Sequence, residues 1–487
     1  MNVLLLNPPY LKKFSRPQRS PAVTKSGTLY YPMWLAYAAG ALQKAGHEID
    51  LIDAPADGYS FEEVIERGKR FSPDLIVLDT STPSIYNDVD VAGRLKDIFP
   101  SSFIVLVGTH VSALSDEVIR IDGRVDAVAR YEYDQTLVEL AAVLSGKKDL
   151  KEVSGLSFRD GDKIIHNPQR AFTEDLDAFP FVSSVYKKFL KIENYFNPNA
   201  LYPMVTITTS RGCPFPCTFC VYPQTLMGRK FRLRSIESVV AEMKYIVENF
   251  PQAKAVFFED DTITVNKKRC EELAKSIIRE KINISWTANA RVGLDYDTMK
   301  IMKEAGCRCF CVGFESGSQL ILENMKKKIT VEDMEGFMKN ARRAGILIHG
   351  CFMAGLPGET KETLMETLEL AKRLKPDTVQ FYPVMIYPGT EAYNWYKERG
   401  LISTDDFSKW LTPDGLHNTV IRTEKLSSAE IVKFCDYARR SFYLRPGYLL
   451  YKMMQMIMHP EEIKRTAKSA RTFIKYLVKG SDISEKE

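Results

Sequence analysis

The stretch TSRGCPFPCTFCVYP, residues 209–223, places three cysteines, Cys213, Cys217 and Cys220, on one Gly- and Pro-bearing loop. Three residues separate the first pair and two separate the second. Directly upstream, MVTITTS (204–210) reads as a β-strand. It opens a series of alternating apolar runs: AVFFED (255–260), ISWTAN (284–289), CRCFCVGFE (307–315), ILIHGCFMAG (346–355) and TVQFYPV (378–384). Helical stretches such as IESVVAEMKYIVENF (236–250) and KETLMETLELAKRLK (361–375) lie between them. Six βα units suit a closed or partial (β/α) barrel, whose chemistry sits at the strand C-termini. The cysteine loop follows the first of these strands and is therefore expected at the top of the barrel.

Upstream, residues 1–150 carry a second alternating series. NVLLLN (2–7), EIDLID (48–53), DLIVLD (74–79), FIVLVG (103–108) and VDAVA (125–129) are separated by helical stretches, which predicts a parallel, doubly wound α/β sheet. Ligands of such sheets bind beyond the carboxyl ends of the strands. Here those ends read NPPY (7–10), DAPADG (53–58), TSTPS (80–84), GTHVS (108–112) and RYEYD (130–134). No GxGxxG follows the first strand, which argues against an ordinary dinucleotide site. Residues 151–200 read as a connector with a small hairpin around Asp160-Gly161-Asp162, 201–425 as the barrel, and 426–487 as a basic helical extension.

The chain has 487 residues, net charge +5 and an odd nine cysteines. With no signal peptide at MNVLLLNPPY, a reduced, cytosolic protein is expected. No apolar segment approaches the ~20 residues needed to span a bilayer. The charge is too small to imply nucleic acid, but it is unevenly placed: Ala438 to Gly480 holds ten Lys and Arg against two Glu, mixed with Met, Leu and Tyr. Such a tail suits either a helical cap with a solvated basic face or peripheral association with an anionic membrane.

Three clustered thiols admit three readings. Structural zinc usually takes four protein ligands, and no fourth Cys or His lies nearby in sequence. Core cysteines are not expected in a Gly- and Pro-rich loop. A 4Fe-4S cluster held by three thiolates leaves one iron open to a further ligand.

CPFPCTFC matches the CxxxCxxC signature and resembles the radical S-adenosylmethionine (SAM) enzymes. Preceded by a doubly wound domain, it resembles their cobalamin-binding branch over about residues 1–445. The resemblance implies a 4Fe-4S cluster on Cys213, Cys217 and Cys220, with SAM on the open iron. It also implies an external electron donor such as flavodoxin or ferredoxin. SAM is expected to meet Phe219 before the third cysteine, the acidic pair Asp260 and Asp261 in FFEDDT, and Arg291 in ANARV. Glu315 and Ser316 in GFESGS are expected at its ribose, and Gly355 in GLPGET at its backbone contacts. Cobalamin is expected against Asn7, Pro8 and Pro9, Ser81 and Thr82, Gly108, Thr109 and His110, and Tyr131 and Glu132. This chain departs from many relatives by Gly108-Thr109 in place of Gly-Gly and by Arg130-Tyr131-Glu132-Tyr133 in place of Gly-Glu-Gly-Glu. A DxHxxG loop is absent, so His110 is expected to contact the nucleotide tail or pack in its loop rather than ligate cobalt.

The implied reaction is methylation of an unactivated carbon, using a 5′-deoxyadenosyl radical and methylcobalamin. Radical cyclisation or rearrangement of a lipid or secondary metabolite is the alternative within the class, and a non-catalytic cobalamin or redox sensor the alternative outside it. No nucleophile–base arrangement is evident, so catalytic side chains stay unassigned and the substrate is a small molecule or a lipid. Cys307, Cys309 and Cys311 alternate on one strand, which predicts that all three fill the lumen on the side of Glu315.

Overall fold

The computed structural model describes residues 1–146 and 149–458. Its first sheet begins with β1 (Asn2–Asn7), β2 (Glu48–Asp53), β3 (Leu75–Asp79), β4 (Phe103–Val107) and β5 (Ala127–Ala129), parallel and in the order β2-β1-β3-β4-β5. Helices cover both faces, which is why β3 reads LIVLD and is buried throughout. Two more strands, β6 (Leu156–Asp160) and β7 (Lys163–His166), add antiparallel to β5 and complete a seven-stranded sheet. The hairpin predicted as part of a separate connector thus belongs to the first domain. It covers the unpaired backbone groups of β5, which would otherwise be a free edge.

The second sheet is the barrel. Strand β8 (Met204–Ile207) leads into a short ribbon, β9 (Ser210–Arg211) paired with β10 (Arg232–Leu233). Then come β11 (Ala255–Phe258), β12 (Ser285–Ala290), β13 (Cys307–Glu315), β14 (Leu347–Ala354) and β15 (Thr378–Pro383). The order β8-β11-β12-β13-β14-β15 is sequential and parallel, and β8 and β15 do not pair, so the barrel is partial. Side chains satisfy the two open edges. Tyr31 Oη donates to the Met204 carbonyl at 2.6 Å. Along β15, the helix Ser428–Tyr443 places Tyr443 Oη to accept from Val379 N at 2.8 Å and donate to its carbonyl at 2.6 Å, while Arg439 Nη1 donates to the Phe381 carbonyl at 2.8 Å.

The alternation expected for the three strand cysteines breaks at Cys307. Cys307 pairs with Trp286 and Cys309 with Thr287, so two steps on β13 face one on β12. This bulge turns Cys307 outwards into the main core, within electrostatic reach of Cys270 on the helix Lys267–Arg279. Cys311 packs in the lumen with Ala200, Met204, Ala255 and Phe257.

A buried ionic group joins the two domains. Arg211 Nη1 donates to Glu132 and, at 2.7 Å, to Asp134 Oδ2; Arg232 Nη1 donates to the other Glu132 oxygen at 2.7 Å. These side chains are at most 4% exposed. The Arg211 guanidinium also lies 4.7 Å from the Tyr37 ring and 4.6 Å from that of Phe179. A second tie runs from the segment beyond the barrel, where Phe407 meets the His110 ring edge-on at 4.8 Å and His417 Nε2 meets Ser20 Oγ at 2.8 Å. Among the described residues no helix is long and apolar enough to cross a membrane. The helix Pro446–Met458 begins the predicted basic tail, and the remainder lies outside the described residues.

Removing one partner of a buried ion pair costs about 3–5 kcal/mol. Glu132→Gln keeps the shape but removes the one carboxylate that Arg211 and Arg232 share, leaving Asp134 to Arg211. It should lower stability by about that much in the first urea unfolding transition, whereas Glu174→Gln, in an ion pair that is 64–66% exposed, should change it by less than ~1 kcal/mol.

Candidate active site

The cysteine loop leaves the ribbon through Gly212, at φ +84°, where a Cβ would stand 2.2 Å from the Lys230 carbonyl. Only glycine fits this left-handed turn. Cys213 N then donates to the Gly228 carbonyl at 3.3 Å, and further on Thr218 N donates to Met325 O at 3.1 Å. The three thiols are free. Burial, with Asp261 nearby, pushes Cys213 up to about 11 and raises Cys220 further still. Such thiols become thiolates when a cation binds them.

Around this loop the structure brings some of the expected residues together and employs others elsewhere. Arg291 lies against it, its guanidinium 4.0 Å from the Phe215 ring and Nη1 4.0 Å from Cys217 Sγ. Phe219 is partly buried against the main core. Glu315 stands at φ +68°; Oε1 accepts from Lys327 Nζ at 2.7 Å, and Oε2 is buried with no partner. Lys327, which sequence reasoning did not single out, is thus the counterion of a buried carboxylate that keeps one oxygen unused.

Asp260 is turned inwards. It accepts from Thr209 N at 3.0 Å, from Thr209 Oγ1 at 2.9 Å and from Ser210 Oγ, so it anchors the start of the cysteine loop. Its carboxylate, expected at SAM, is thus hydrogen-bonded within the chain. Asp261 pairs instead with Arg19 at 3.1 Å; Arg19 also pairs with Glu259 and lies 5.0 Å above the Tyr222 ring. Ser316 is likewise engaged, meeting Thr367 Oγ1 at 3.1 Å and accepting from Ser318 N at 3.2 Å. Gly355 is held to glycine by its left-handed φ of +93°, and it packs on the C-terminal segment, with Ile421 and Ile431 each 3.0 Å from where a Cβ would stand.

The carboxyl edge of the first sheet shows a similar division. Beyond the ends of β1 and β3 the fully buried Arg16 donates to Asn7 Oδ1, to the Pro8 carbonyl at 3.0 Å and to Asp88 at 2.7 Å. The Pro9 carbonyl accepts from Asn87 at 3.0 Å. Ser81 meets Ser84 at 2.7 Å, and Thr82 Oγ1 meets His110 Nδ1 at 3.1 Å. His110 follows Thr109 in the short helix Thr109–Ala113, and burial pushes it down to about 3, so it stays neutral. Gly108 is held to glycine by the Thr80 carbonyl, 2.5 Å from where a Cβ would lie. Tyr131, at φ +59°, donates its backbone N–H to Ser112 Oγ at 2.8 Å. Glu132, expected at cobalamin, is consumed by Arg211 and Arg232, because those buried guanidiniums need its charge. Beside them Trp34 Nε1 and Tyr133 Oη are buried without partners.

Fold and site together define a radical SAM barrel joined to a B12-type domain. Comparison with known families matches residues 207–371 to the Radical SAM superfamily and residues 19–141 to the B12 binding domain. The chain is 33% identical over 451 residues to an uncharacterized methyltransferase of Pyrococcus horikoshii, covering 92% of this chain and 94% of that one. It is 28% identical over 433 residues to the anaerobic magnesium-protoporphyrin IX monomethyl ester cyclase of Cereibacter sphaeroides, covering 86% and 68%. In structure it is similar to the radical SAM methyltransferase TsrM of Kitasatospora setae, solved with cobalamin and a 4Fe-4S cluster, at a TM-score of 0.65, 18% identity and coverage of 91% and 81%. The chain belongs to the cobalamin-dependent radical SAM methylase family.

The residues present fit the cofactors of that family. The thiols of a four-iron cluster bond separate irons and stand farther apart than the ligands of one ion. Cys213, Cys217 and Cys220 are free thiols on one loop, the donor set such a cluster takes. The unpaired Glu315 oxygen offers SAM an acceptor, and Trp34 Nε1 and Tyr133 Oη offer polar groups to a large ligand between the domains.

Anaerobically reconstituted protein should bind about four irons per chain, as one 4Fe-4S cluster requires. Changing Cys213, Cys217 and Cys220 together to Ala should remove them, with the visible absorption. Changing Cys309, Cys311 and Cys351 should leave both, and iron retained by the first variant would move the cluster to the lumen.

Proposed function

We propose that this chain is a C-methyltransferase acting on an unactivated carbon, with electrons from a flavodoxin or ferredoxin. The observation that supports this reading most is the ionic clamp on Arg211, two residues before Cys213, which holds the thiol loop against the B12-type domain. When bound, the cofactors supply radical formation and the methyl group, chemistry beyond any side chain here. The chain's own work is holding and orienting. Cys213, Cys217 and Cys220 ligate, and Arg291 sets positive charge beside Cys217. Glu315, fixed by Lys327, offers its open oxygen to a ribose hydroxyl. Arg19 and Tyr222 close the side between the domains. A second reading, radical cyclisation, is favoured by the likeness to the magnesium-protoporphyrin ester cyclase.

Trideuteromethyl-labelled SAM separates the two. Incubated with a metabolite and lipid extract under reducing conditions, the enzyme should release 5′-deoxyadenosine and yield a product bearing the trideuteromethyl group. 5′-Deoxyadenosine with an unlabelled product would favour cyclisation, and no SAM cleavage would leave a sensor.

The reading extends to peripheral membrane association. The helix Pro446–Met458 exposes Leu450 (59%), Met454 (52%) and Ile457 (77%), an apolar face that a soluble cap does not require. Basic residues of the following sequence add about 1 kcal/mol each near an anionic bilayer. The full chain should float with anionic vesicles at low salt, and Leu450→Glu with Ile457→Glu should abolish flotation. Unchanged flotation of that variant would remove this helix from the association.

A further inference from the structure

The open side of the barrel encloses a cavity of about 430 Å³ between β12–β15, residues 18–30 and the two C-terminal helices. That is the size of a small-molecule site rather than of a groove for a polymer. Tyr30, Phe381, Tyr382, Tyr443 and Tyr448 give it an aromatic wall. Lys25, Arg439 and Lys452 also line it, and among the described residues no Asp or Glu does. Asp436 stands just outside, paired with Arg439 and 3.8 Å from Lys25 Nζ. Three cations thus face one neighbouring carboxylate among the described residues, and the mouth is net positive. Burial, with Arg439 beside it, pushes Lys25 down to about 8, the response of an ammonium in a dry and positive setting. The other end of the cavity reaches the active site: Cys351 and Tyr382 line it and lie within the field of Glu315, and Asn289 donates to the Asp260 carbonyl at 3.0 Å.

We infer that this cavity takes an amphipathic anion, with an apolar, ring-bearing body in the lumen and one carboxylate, phosphate or sulfonate group at Lys25 and Arg439. As a statement about substrate, this rests on the methylase reading; as a statement about binding, it stands alone. Aromatic side chains receive a flat apolar body, and a guanidinium with an ammonium receives an oxyanion by charged hydrogen bonds. The target carbon would then lie on the body, towards Tyr382 and Cys351, and the anionic group at the far end.

The test is fluorescence titration of the full chain with 1-anilinonaphthalene-8-sulfonate, and with N-phenyl-1-naphthylamine, the same body without the sulfonate. Because the apolar helix face also attracts such dyes, the Leu450→Glu, Ile457→Glu background is used. The sulfonate should bind about ten-fold or more tightly than the neutral dye, the worth of one charged hydrogen bond. Lys25→Met should erase that preference while leaving the neutral dye's affinity, and Ser26→Trp, at the mouth, should weaken both dyes. Equal binding of the two dyes, a preference that survives Lys25→Met, or dye binding indifferent to Ser26→Trp would each overturn the inference. If Lys25→Met does not fold, Lys25→Gln with Lys452→Met reads the same preference. Intact selectivity without methyl transfer overturns the methylase reading alone, and methyl transfer without selectivity overturns this one alone.

Discussion

Arg211 is the residue on which the arrangement of the two domains depends. It is the direct cross-strand partner of Arg232 in the β9–β10 ribbon. Two like charges facing each other in this way repel. They are held together because Glu132, from the loop after β5, offers one oxygen to each, and Asp134 supplies the second negative charge. Burying four charges is tolerable only when they balance and are hydrogen-bonded. Neither domain can bury its own pair without the other, so the group acts as a condition for docking. A lysine could not replace Arg211 in full, since the guanidinium lies over the Tyr37 and Phe179 rings while its Nη1 reaches both carboxylates, and a compact ammonium has no planar face to stack. Gly212 then turns the chain directly into the thiol loop, and the geometry of the clamp becomes the geometry of the site.

The same logic of shared charge runs along the top of the barrel. Glu259, Asp260 and Asp261 are consecutive, and three carboxylates there would repel one another. They are separated by direction. Asp260 turns inwards to the Thr209 and Ser210 donors, while Glu259 and Asp261 turn to Arg19 of the first domain. The loop after β1 therefore sends two arginines in different directions: Arg16 to Asp88 of its own domain, and Arg19 across to the barrel. This compensation does not extend to Glu315, which keeps one buried oxygen without a partner.

Much of this is legible in sequence because it is periodic. The apolar runs that become β1–β5 and the six barrel strands are largely buried on both faces, and such runs are the strongest local signal a chain carries. The cysteine spacing is legible because three thiols on one Gly-Pro loop have few uses. What stays hidden depends on pairing at a distance. Glu132 reads as a cobalamin contact, and nothing local shows that Arg211 and Arg232 fold against it; nor does the sequence show that Thr209 and Ser210 donate to Asp260. Cys307 escapes the expected alternation because a bulge changes parity without any marker in sequence. Lys327 sits in a run of three lysines, and nothing local distinguishes the one that turns inwards to Glu315.

The partial barrel links its stability to its access. A closed barrel has no edges, but this one exposes the backbone of β15, and the helix Ser428–Tyr443 must satisfy it. Tyr443 does so through Val379, and Arg439 through the Phe381 carbonyl. Both residues also line the cavity, so the element that protects the edge is the wall past which a substrate enters. The chain continues from that wall into Pro446–Met458, whose Tyr448 and Lys452 reach the cavity while Leu450 and Ile457 face outwards. An opening closed by a helix rather than by strand pairing can vary in width without breaking a β-ladder. Substitutions along this helix therefore act on what enters the barrel, whereas substitutions at the Arg211 clamp act on whether the thiol loop meets the first domain at all.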